Sequence, residues 1–410
     1  MTMATRLKSR NLGFRRSIPA TKPLLLCLSH LRWDFVFQRP QHLLTRALKD
    51  YRVLFFEEPL DDASEPSLTV EDRGQGLMIA QPHLPQGMDN RARNLALRTL
   101  LDDALSDLNA SSPALIWYYS PAAIAFAGHL DGECVVYDCM DELSAFKGAA
   151  SDLREREHAL FGRADLVFTG GQSLFEAKKR MHPSVHAFPS SIDKKHFAQA
   201  RALRACLPRP MTPHLGFFGV IDERMDMNLV AALADLRPDW QFAMIGPIVK
   251  IDPADLPQRP NLHWLGGRSY QDLPQELAQW TLGIMPFALN EATRYISPTK
   301  TPEFLAAGLP VISTPIRDVV HPYADLNLVG IGATAEQFIA RCEECMRWTA
   351  LEHTQWLSQV DRLLSQMSWD LTWSRMIGLV HRLVAQRRQM VSTPITKTAA
   401  PLSRPGAIRV

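Results

Sequence analysis

The sequence contains no apolar run near the roughly 20 residues that a membrane-spanning helix needs. An apolar run at 24–28 follows a basic N-terminus, but it is shorter than a signal-peptide core and no small-residue cleavage site follows it. We therefore interpret this run as a buried strand. These absences predict a cytoplasmic protein in which any membrane contact is peripheral.

Cysteine is also scarce, and the six residues are scattered along 410 positions without the spacing of a disulfide framework. This distribution favours a reducing compartment. Cys342 and Cys345 have CxxC spacing, but there is no second pair and no nearby histidine. A metal or redox role is therefore disfavoured for them.

Acidic residues are absent from both ends of the chain. Residues 1–22 carry six Lys or Arg and residues 384–410 carry five, so the part between them has a net charge of −9 although the whole chain has +2. An acidic body argues against a nucleic-acid-binding face. The ends, 1–21 and 391–410, are predicted to be disordered basic tails that are either simply solvated or in contact with anionic lipid.

Short β-branched and aromatic runs alternate with helical patterns, which predicts parallel sheets wound with helices. Strand-like runs lie in the first half near 24–29, 51–57, 114–119, 133–138, 165–169 and 185–188, and in the second half near 215–219, 241–246, 262–265, 282–286, 311–313 and 328–330. The predicted fold class is α/β with two doubly wound, Rossmann-like domains. Because ligands of such sheets bind at the carboxyl ends of the strands, we expect the site in the cleft between the domains.

The predicted domains are 22–200 and 201–367. Their junction is expected within 194–213, where a basic stretch ends in three closely spaced prolines that break helix and sheet alike. A last helix is predicted over 368–390, with Ser368 as a possible cap and apolar residues at helical spacing after it.

A polar and aromatic loop follows the first predicted strand. It brings to the carboxyl end of that strand a set of side chains suited to binding, namely His30, Trp33, Asp34, Arg39 and Gln41. This position favours function over packing. The loop is poor in glycine, so it is not a dinucleotide phosphate loop.

Two carboxylates, Asp138 and Asp141, come just beyond the predicted strand 133–138. They are candidates for general acid or base catalysis or for binding sugar hydroxyls. The alternative for Asp141 is that it caps a helix.

The second half has an ordered series of phosphate-binding features. Gly219 and Gly246 each follow a strand, Arg224 is suited to bidentate phosphate contact, and a short helix then opens with small polar residues. At that helix start, Ser297, Thr299 and Lys300 offer donors to a phosphate, and Glu303 lies three residues after the lysine on the same face. A carboxylate beside a phosphate site is suited to accept hydrogen bonds from sugar hydroxyls. The alternative is a capped surface helix with a Lys–Glu pair.

These motifs resemble those of the GT-B-fold nucleotide-sugar glycosyltransferases, in particular the family four and family one types that act in bacterial surface and exopolysaccharide assembly. The resemblance covers about residues 22–390 and is most specific in the loop 33–41, in Asp138 and Asp141, in 189–193, in Gly219 with Arg224, and in 297–310. It implies a hexosyltransferase with a UDP- or GDP-sugar donor and a saccharide or lipid-linked acceptor. It also implies that the configuration at the anomeric carbon is retained.

The resemblance also implies a role for each candidate residue. Glu303 would bind the donor ribose, and Ser297, Thr299 and Lys300 would face the diphosphate. Arg224 would neutralise the leaving nucleoside diphosphate, and no metal or other cofactor is expected. The catalytic set would then be Asp138, Asp141, Arg224 and Lys300, with Gly219 and Gly246 on the donor side and the loop after the first strand on the acceptor side.

Two departures from the family pattern leave alternatives open. Tyr295 stands eight residues before Glu303, where many relatives have a first glutamate, and Met140 stands where relatives often have a histidine. The alternatives are a nucleotide-sugar epimerase of the same fold and a non-catalytic nucleotide-sugar-binding scaffold. A two-domain dehydrogenase is disfavoured because no GxGxxG follows an early strand. The base, the sugar, the acceptor, the stereochemistry and the oligomeric state stay open.

Overall fold

The computed structural model describes residues 22–208 and 210–392 of the chain. Both predicted tails, 1–21 and most of 391–410, lie outside the described residues. The described part forms two α/β domains, each built on one sheet, as the alternating pattern predicts. Among the described residues, no helix is both long enough and apolar enough to span a membrane.

The first domain has an eight-stranded sheet in the order β3-β4-β2-β1-β5-β6-β7-β8. Its strands are β1 (Leu24–Leu28), β2 (Arg52–Phe56), β3 (Ser67–Asp72), β4 (Leu77–His83), β5 (Leu115–Tyr118), β6 (Cys134–Cys139), β7 (Leu166–Thr169) and β8 (Val185–Ala187). Every pairing is parallel except that of β3 with β4. The central strands are buried on both faces, which explains why they are almost continuously apolar in sequence.

The second domain has a six-stranded, wholly parallel sheet in the order β11-β10-β9-β12-β13-β14. Its strands are β9 (His214–Phe218), β10 (Gln241–Ile245), β11 (Leu262–Trp264), β12 (Leu282–Met285), β13 (Val311–Ser313) and β14 (Val329–Ile331). The strand order reverses between β9 and β12, so the ends of these strands form the crevice in which such sheets bind ligands.

The helices of both domains cover the faces of the sheets. They are α1 (Arg39–Ala47), α2 (Asn90–Asp107), α3 (Ile124–Ala127), α4 (Leu153–Arg163), α5 (Gln172–Lys178), α6 (Lys194–Ala205), α7 (Met227–Leu236), α8 (Leu273–Ala278), α9 (Lys300–Ala306), α10 (Arg317–Val319), α11 (Ala335–Met346), α12 (Ala350–Leu364) and α13 (Trp369–Ser392). Cys342 is buried in α11, in the core of the second domain.

The hairpin β3-β4 is the main element that the sequence analysis did not predict. Its outer strand β3 is largely exposed and carries charged residues, so it has no apolar run that indicates a strand. The turn at Gly74 and Gly76, both with positive φ, followed by the apolar residues that open β4, was the available signal.

Helix α6 spans the predicted domain boundary at residue 200 but packs wholly on the second domain. Phe197 and Ala200 are buried in the core of that domain. Arg201 donates to the carbonyl of Ala306 at 2.7 Å and Arg204 to that of Leu277 at 2.8 Å. The chain therefore passes from one domain to the other between β8 and α6.

Helix α13 returns to the first domain. Trp369, Trp373, Met376 and Val380 are buried against the sheet of that domain. Arg388, near its end, is ion-paired with Glu133 at 2.7 Å. The two domains are thus joined by two chain passages, one before α6 and one before α13.

One carboxylate of the second domain caps a helix of the first. Asp318 is buried and accepts hydrogen bonds from the main-chain N–H of Gln172 at 2.8 Å and of Ser173 at 3.0 Å, and also from the Ser173 hydroxyl. Gly171 permits this approach, since a Cβ there would lie 2.4 Å from the Asp318 carboxylate. The first turn of α5 is therefore satisfied only while the two domains are in contact.

We expect Asp318→Ala to cost about 1–3 kcal/mol of the free energy of unfolding, because it leaves buried N–H groups of α5 without an acceptor. It should also loosen the contact between the domains. Urea denaturation and small-angle scattering measure the two effects.

The matched control is Asp89→Ala, which removes the cap of α2, where Asp89 accepts from the Ala92 N–H at 2.9 Å within the first domain alone. It should cost about 1 kcal/mol and leave the scattering curve unchanged. Equal scattering curves for the two variants would contradict the role of Asp318 between domains.

Candidate active site

A cavity of about 120 Å³ lies between the carboxyl ends of the two sheets. The first domain contributes residues from the loop before α1, from the ends of β6 and β7 and from the segment after β8, and the second domain contributes most of the remainder. The lining residues are Val36, Gln38, Arg39, Met140, Asp141, Gly170, Ser190, Phe217, Gly219, Val220, Arg224, Phe287, Ile296, Ser297, Pro298, Thr299 and Lys300. Seven of the predicted site residues are among them.

Two glycines allow the backbone segments after β9 and β10 to approach each other closely beneath this cavity. Gly246 has φ +153°, and a Cβ on it would lie 1.7 Å from the carbonyl oxygen of Gly219. Gly219 has φ +139°, and a Cβ on it would lie 2.8 Å from Cε of Lys300. Both positions therefore require glycine, and the second keeps open the space that the lysine side chain occupies.

Lys300 is the first residue of α9 and crosses the mouth of β9. Its Nζ donates to the Thr299 hydroxyl at 2.9 Å, lies 3.8 Å from the Glu303 carboxylate and stands 5.2 Å from the centre of the Phe218 ring. Burial lowers its pKa, with Glu303 opposing and Arg224 reinforcing that shift. The ammonium group is thus poorly solvated and available to an anion.

Glu303 lies one turn behind Lys300 and is only 7% exposed. Its Oε2 is buried and has no hydrogen-bond partner among the described residues. Burial raises the pKa of this carboxyl to about 7, against the opposing effects of Lys300 and Thr299. An unsatisfied buried acceptor of this kind is suited to hydroxyl donors of a ligand, although the side chain is not part of the cavity wall itself.

Arg224 lies at the opposite wall of the cavity from α9. Asp222 holds its guanidinium, with contacts of 2.7 Å and 2.9 Å from Nη2 and Nε, and the guanidinium carbon lies 5.4 Å from the Phe146 ring of the first domain. Arg224 also lines the cavity, and its Nη1 makes no hydrogen bond with the described residues. Ion pairing and the ring fix the side chain in place before any ligand binds.

The other predicted donor-side residues, Ser297 and Thr299, lie at the start of α9. Thr299 precedes α9, and Ser297 lines the cavity while its carbonyl accepts from the Ser190 hydroxyl at 3.0 Å. This last bond joins the two domains. Helix α9 ends before Gly308, whose φ is +70°, as predicted.

Asp141 belongs to the cavity wall and caps no helix. Burial raises the pKa of its carboxyl to about 6, with Arg224 lowering it and Asp222 raising it. A carboxyl that titrates near neutrality inside a cleft can exchange a proton with a bound hydroxyl.

The catalytic role of Asp138 stays a prediction, but the contacts of this residue are structural. Asp138 is completely buried, and Arg39 binds both of its oxygens with three contacts of 2.8–3.1 Å. Arg39 also donates to the carbonyl of Phe188 at 2.8 Å. The pair therefore holds together the first-domain wall of the cleft, and Asp138 is not among the residues that line the cavity.

Several acceptor-side candidates likewise have structural partners. Gln41 donates to the carbonyls of Trp33 and Val36 at 2.8 and 3.1 Å, which shapes the loop, and Trp33 packs on Phe55. Asp34 is largely exposed and is ion-paired with Arg73 on the hairpin β3-β4. None of these three residues lines the cavity, so the prediction that they bind the acceptor there is not supported.

His30 keeps a position suited to ligand binding. Its Nδ1 is buried without a hydrogen-bond partner among the described residues. Burial lowers the pKa of His30 to about 4, and the charge of Lys250 adds to this effect. The imidazole is therefore neutral at pH 7 and can accept a hydrogen bond from a substrate hydroxyl.

The sequence analysis missed Lys250 and Phe146. Lys250 follows β10 with φ +63°, and its Nζ lies 5.0 Å from the ring of Phe146 in the other domain. Its charge also acts on the carboxyls of Asp141 and Glu58. A lysine five residues after a strand belongs to no sequence motif. Its position near the cleft is evident only from its contact with the first domain.

The second domain matches a known family model. Residues 212–348 match the model described as glycosyl transferases group 1. The chain is also 25% identical over 275 residues to a protein of Bacillus subtilis (strain 168) named for glycosyl transfer in teichuronic acid biosynthesis, TuaH, a match that covers 61% of this chain and 68% of that protein. These matches identify the chain as a glycosyltransferase.

Solved structures agree on the fold of this glycosyltransferase. Sucrose-phosphate synthase from Thermosynechococcus elongatus superposes with a TM-score of 0.65 at 14% identity and covers 89% of this chain and 100% of that one. HepE of Anabaena, solved in complex with UDP and glucose, has a TM-score of 0.62 at 15% identity and covers 87% and 99%. Both likenesses extend across the two domains, which is the GT-B architecture that the sequence predicts.

We expect Gly246→Ala in this glycosyltransferase to cost at least about 2 kcal/mol of the free energy of unfolding, because the new Cβ meets the Gly219 carbonyl and the backbone conformation disfavours a side chain. The matched control is Gly267→Ala, where a Cβ has nothing within 4 Å, and its effect should stay within about 0.5 kcal/mol. Equal urea midpoints for the two variants would contradict the close approach of β9 and β10.

The raised pKa of Glu303 predicts a pH-dependent stability. Between the ordinary glutamate pKa of 4.5 and about 7, the folded state binds more protons than the unfolded state, so the free energy of unfolding should fall as the pH rises through this window. Glu303→Gln should flatten this part of the profile, measured by urea denaturation from pH 5 to 8. Glu65→Gln, at an exposed glutamate, is the control and should leave the profile unchanged. An unchanged profile in Glu303→Gln would contradict the shift.

Proposed function

We propose that this glycosyltransferase moves a sugar from a UDP-sugar to a saccharide or lipid-linked acceptor in polysaccharide or glycoconjugate biosynthesis. The observation that carries the proposal is the convergence of Lys300, Arg224 and an unsatisfied Glu303 around the glycine-lined end of β9. The UDP in the HepE complex and the polysaccharide pathway in the name of TuaH support the donor and the pathway.

The diphosphate would lie between Lys300 and Arg224. As the bond from the sugar to the β-phosphate breaks, negative charge grows on the leaving oxygen, and two cations in a poorly solvated cleft stabilise it. Because Arg224 is held by Asp222 before binding, little reorganisation accompanies the reaction. The side chains of Ser297 and Thr299 add neutral donors at the same end of α9.

The ribose would lie against Glu303. The free Oε2 can accept from a ribose hydroxyl, and the lack of side chains at Gly219 and Gly246 lets the nucleotide approach the backbone. A hydrogen bond from a ribose hydroxyl favours the charged form of the Glu303 carboxylate, so nucleotide binding should release a proton from Glu303 near neutral pH.

The first domain would bind the acceptor. Asp141, in the cavity wall, and His30, with its unpartnered buried Nδ1, are two first-domain groups that can exchange hydrogen bonds with an acceptor or donor hydroxyl, and the charge of Lys250 acts on both. Retention of configuration is part of this proposal, since it follows from the likeness of the donor side to the family pattern.

We also propose that the reaction needs no metal ion. Two basic side chains already lie where a divalent cation would neutralise the diphosphate. Among the described residues, no group of three or more His, Cys, Asp or Glu side chains could hold a metal.

A second candidate function, nucleotide-sugar binding without transfer, is favoured by one observation. Tyr295, at the position of the first glutamate of many relatives, packs against the core of the first domain and does not line the cavity. The sugar of the donor would then lack a carboxylate partner at this point.

The experiment is a donor panel of UDP-, GDP- and dTDP-sugars in the presence of EDTA, with UDP affinity measured by calorimetry. We expect UDP-sugar hydrolysis or transfer, and we expect Glu303→Ala to weaken UDP binding by about tenfold or more because a charged hydrogen bond is lost. Glu65→Ala is the matched control. Unchanged UDP affinity in Glu303→Ala would refute the site, and binding without turnover would favour the second candidate function.

A cytoplasmic location with peripheral membrane contact remains a proposal as well. The basic tails to which the sequence analysis assigned this contact lie outside the described residues.

A further inference from the structure

A second concave surface lies on the first domain, away from the cleft. It is a groove of about 610 Å³ between α5, the edge strand β8 and α13. Its walls are Phe175, Val185, His186, Ala187, Phe188, Ser374, Arg375, Leu379 and Arg382. We call these nine residues the edge groove.

The edge groove combines apolar walls with positive charge and has no acidic residue. Arg375 and Arg382 are exposed, and neither makes a hydrogen bond or ion pair with another residue in the described ranges. They lie seven residues apart on α13, about 10 Å along its axis, with Leu379 between them on the same face. Unpaired cations beside an apolar floor favour an anionic amphiphile.

Two acidic residues on or next to the elements around the groove are already paired. Glu176, next to Phe175 on α5, is ion-paired with Lys179, and Asp165 is ion-paired with Arg387 on α13. The charge of the two arginines is therefore not compensated locally. The pKa of His186 is lowered by burial and then by Arg382, so this ring is neutral at pH 7 and adds no charge of either sign.

We propose that the edge groove docks the protein on a membrane surface by binding the phosphate headgroups of anionic phospholipids. Arginine pairs with phosphate oxygens in bidentate fashion, and the apolar residues between the arginines suit the adjoining glycerol and acyl region. In sequence, α13 is followed by residues 393–410, which carry three basic residues and no acid. Their charge has the same sign as that of Arg375 and Arg382, the sign that an anionic surface attracts.

The groove is connected to the active-site cleft through Phe188. The side chain of this residue lines the groove, whereas its carbonyl accepts the hydrogen bond from Arg39, which lines the cleft. Docking at the groove would thus place the acceptor side of the cleft near the membrane. This consequence rests on the proposed function, but lipid binding itself does not.

The test is co-sedimentation of the full chain with vesicles of phosphatidylcholine alone or mixed with phosphatidylglycerol. At about 1 kcal/mol per cation at the surface, we expect Arg375→Gln/Arg382→Gln to weaken binding to the mixed vesicles roughly thirtyfold. The matched control is Arg91→Gln/Arg362→Gln, which removes two exposed arginines without described ion pairs elsewhere and should retain most of the binding. All variants keep both tails, so the difference isolates the groove.

Equal binding by the two double variants would overturn the proposal, as would equal binding of the wild type to neutral and anionic vesicles. Competition by glycerol phosphate as effective as competition by anionic vesicles would show a site for a free anion, which also overturns it. UDP affinity is measured in parallel and should not change in the groove variant. A failed donor site would therefore appear in the Glu303→Ala measurement and a failed groove in the vesicle measurement.

Discussion

The buried ion pair between Arg39 and Asp138 is the contact on which the first-domain half of the cleft depends. It joins the start of α1 to the end of β6, and through the Phe188 carbonyl it also fixes the segment after β8. Both partners are almost wholly removed from water, so replacing either one alone would leave an uncompensated charge in the core. The loop that carries Asp141 therefore follows a strand whose end cannot move.

The second-domain half depends on close backbone approach rather than on charge pairing. Gly246 against Gly219 brings β10 and β9 together, and the space above Gly219 admits Lys300. The lysine then reaches the cleft with only Thr299 and a distant Glu303 as partners, so its charge remains available. Arg224 differs, because Asp222 holds it and partly offsets its charge. The pair thus offers one free and one fixed cation to an anion.

The fold was predictable because both sheets are made mainly of buried parallel strands, whose continuous apolar runs stand out in the sequence. The exposed hairpin strand β3 has no such run, and this is why it was missed.

On the donor side, Gly219, Arg224 and Lys300 were found because strand ends and a helix start fix their positions locally. On the first-domain side, the protein partners of Asp138, Gln41 and Asp34 could not be predicted, because these partners lie 99, 8 and 39 residues away in sequence. A polar residue at a strand end has the same sequence signal whether it binds a ligand or an arginine.

The contacts between the domains connect these two halves. Asp318 caps α5 from the other domain, the Ser190 hydroxyl binds the Ser297 carbonyl, and Lys250 stands over Phe146. Arg224, Asp222 and Lys250 of the second domain all act on the carboxyl of Asp141 in the first, so the electrostatic environment of Asp141 is complete only when the domains meet. Burial is the largest cause of the raised pKa of Asp141, so separating the domains and admitting water would lower that pKa toward its ordinary value, even though the charges of Arg224 and Lys250 oppose the shift in the closed form. Domain closure would then set the protonation of Asp141 as well as its position.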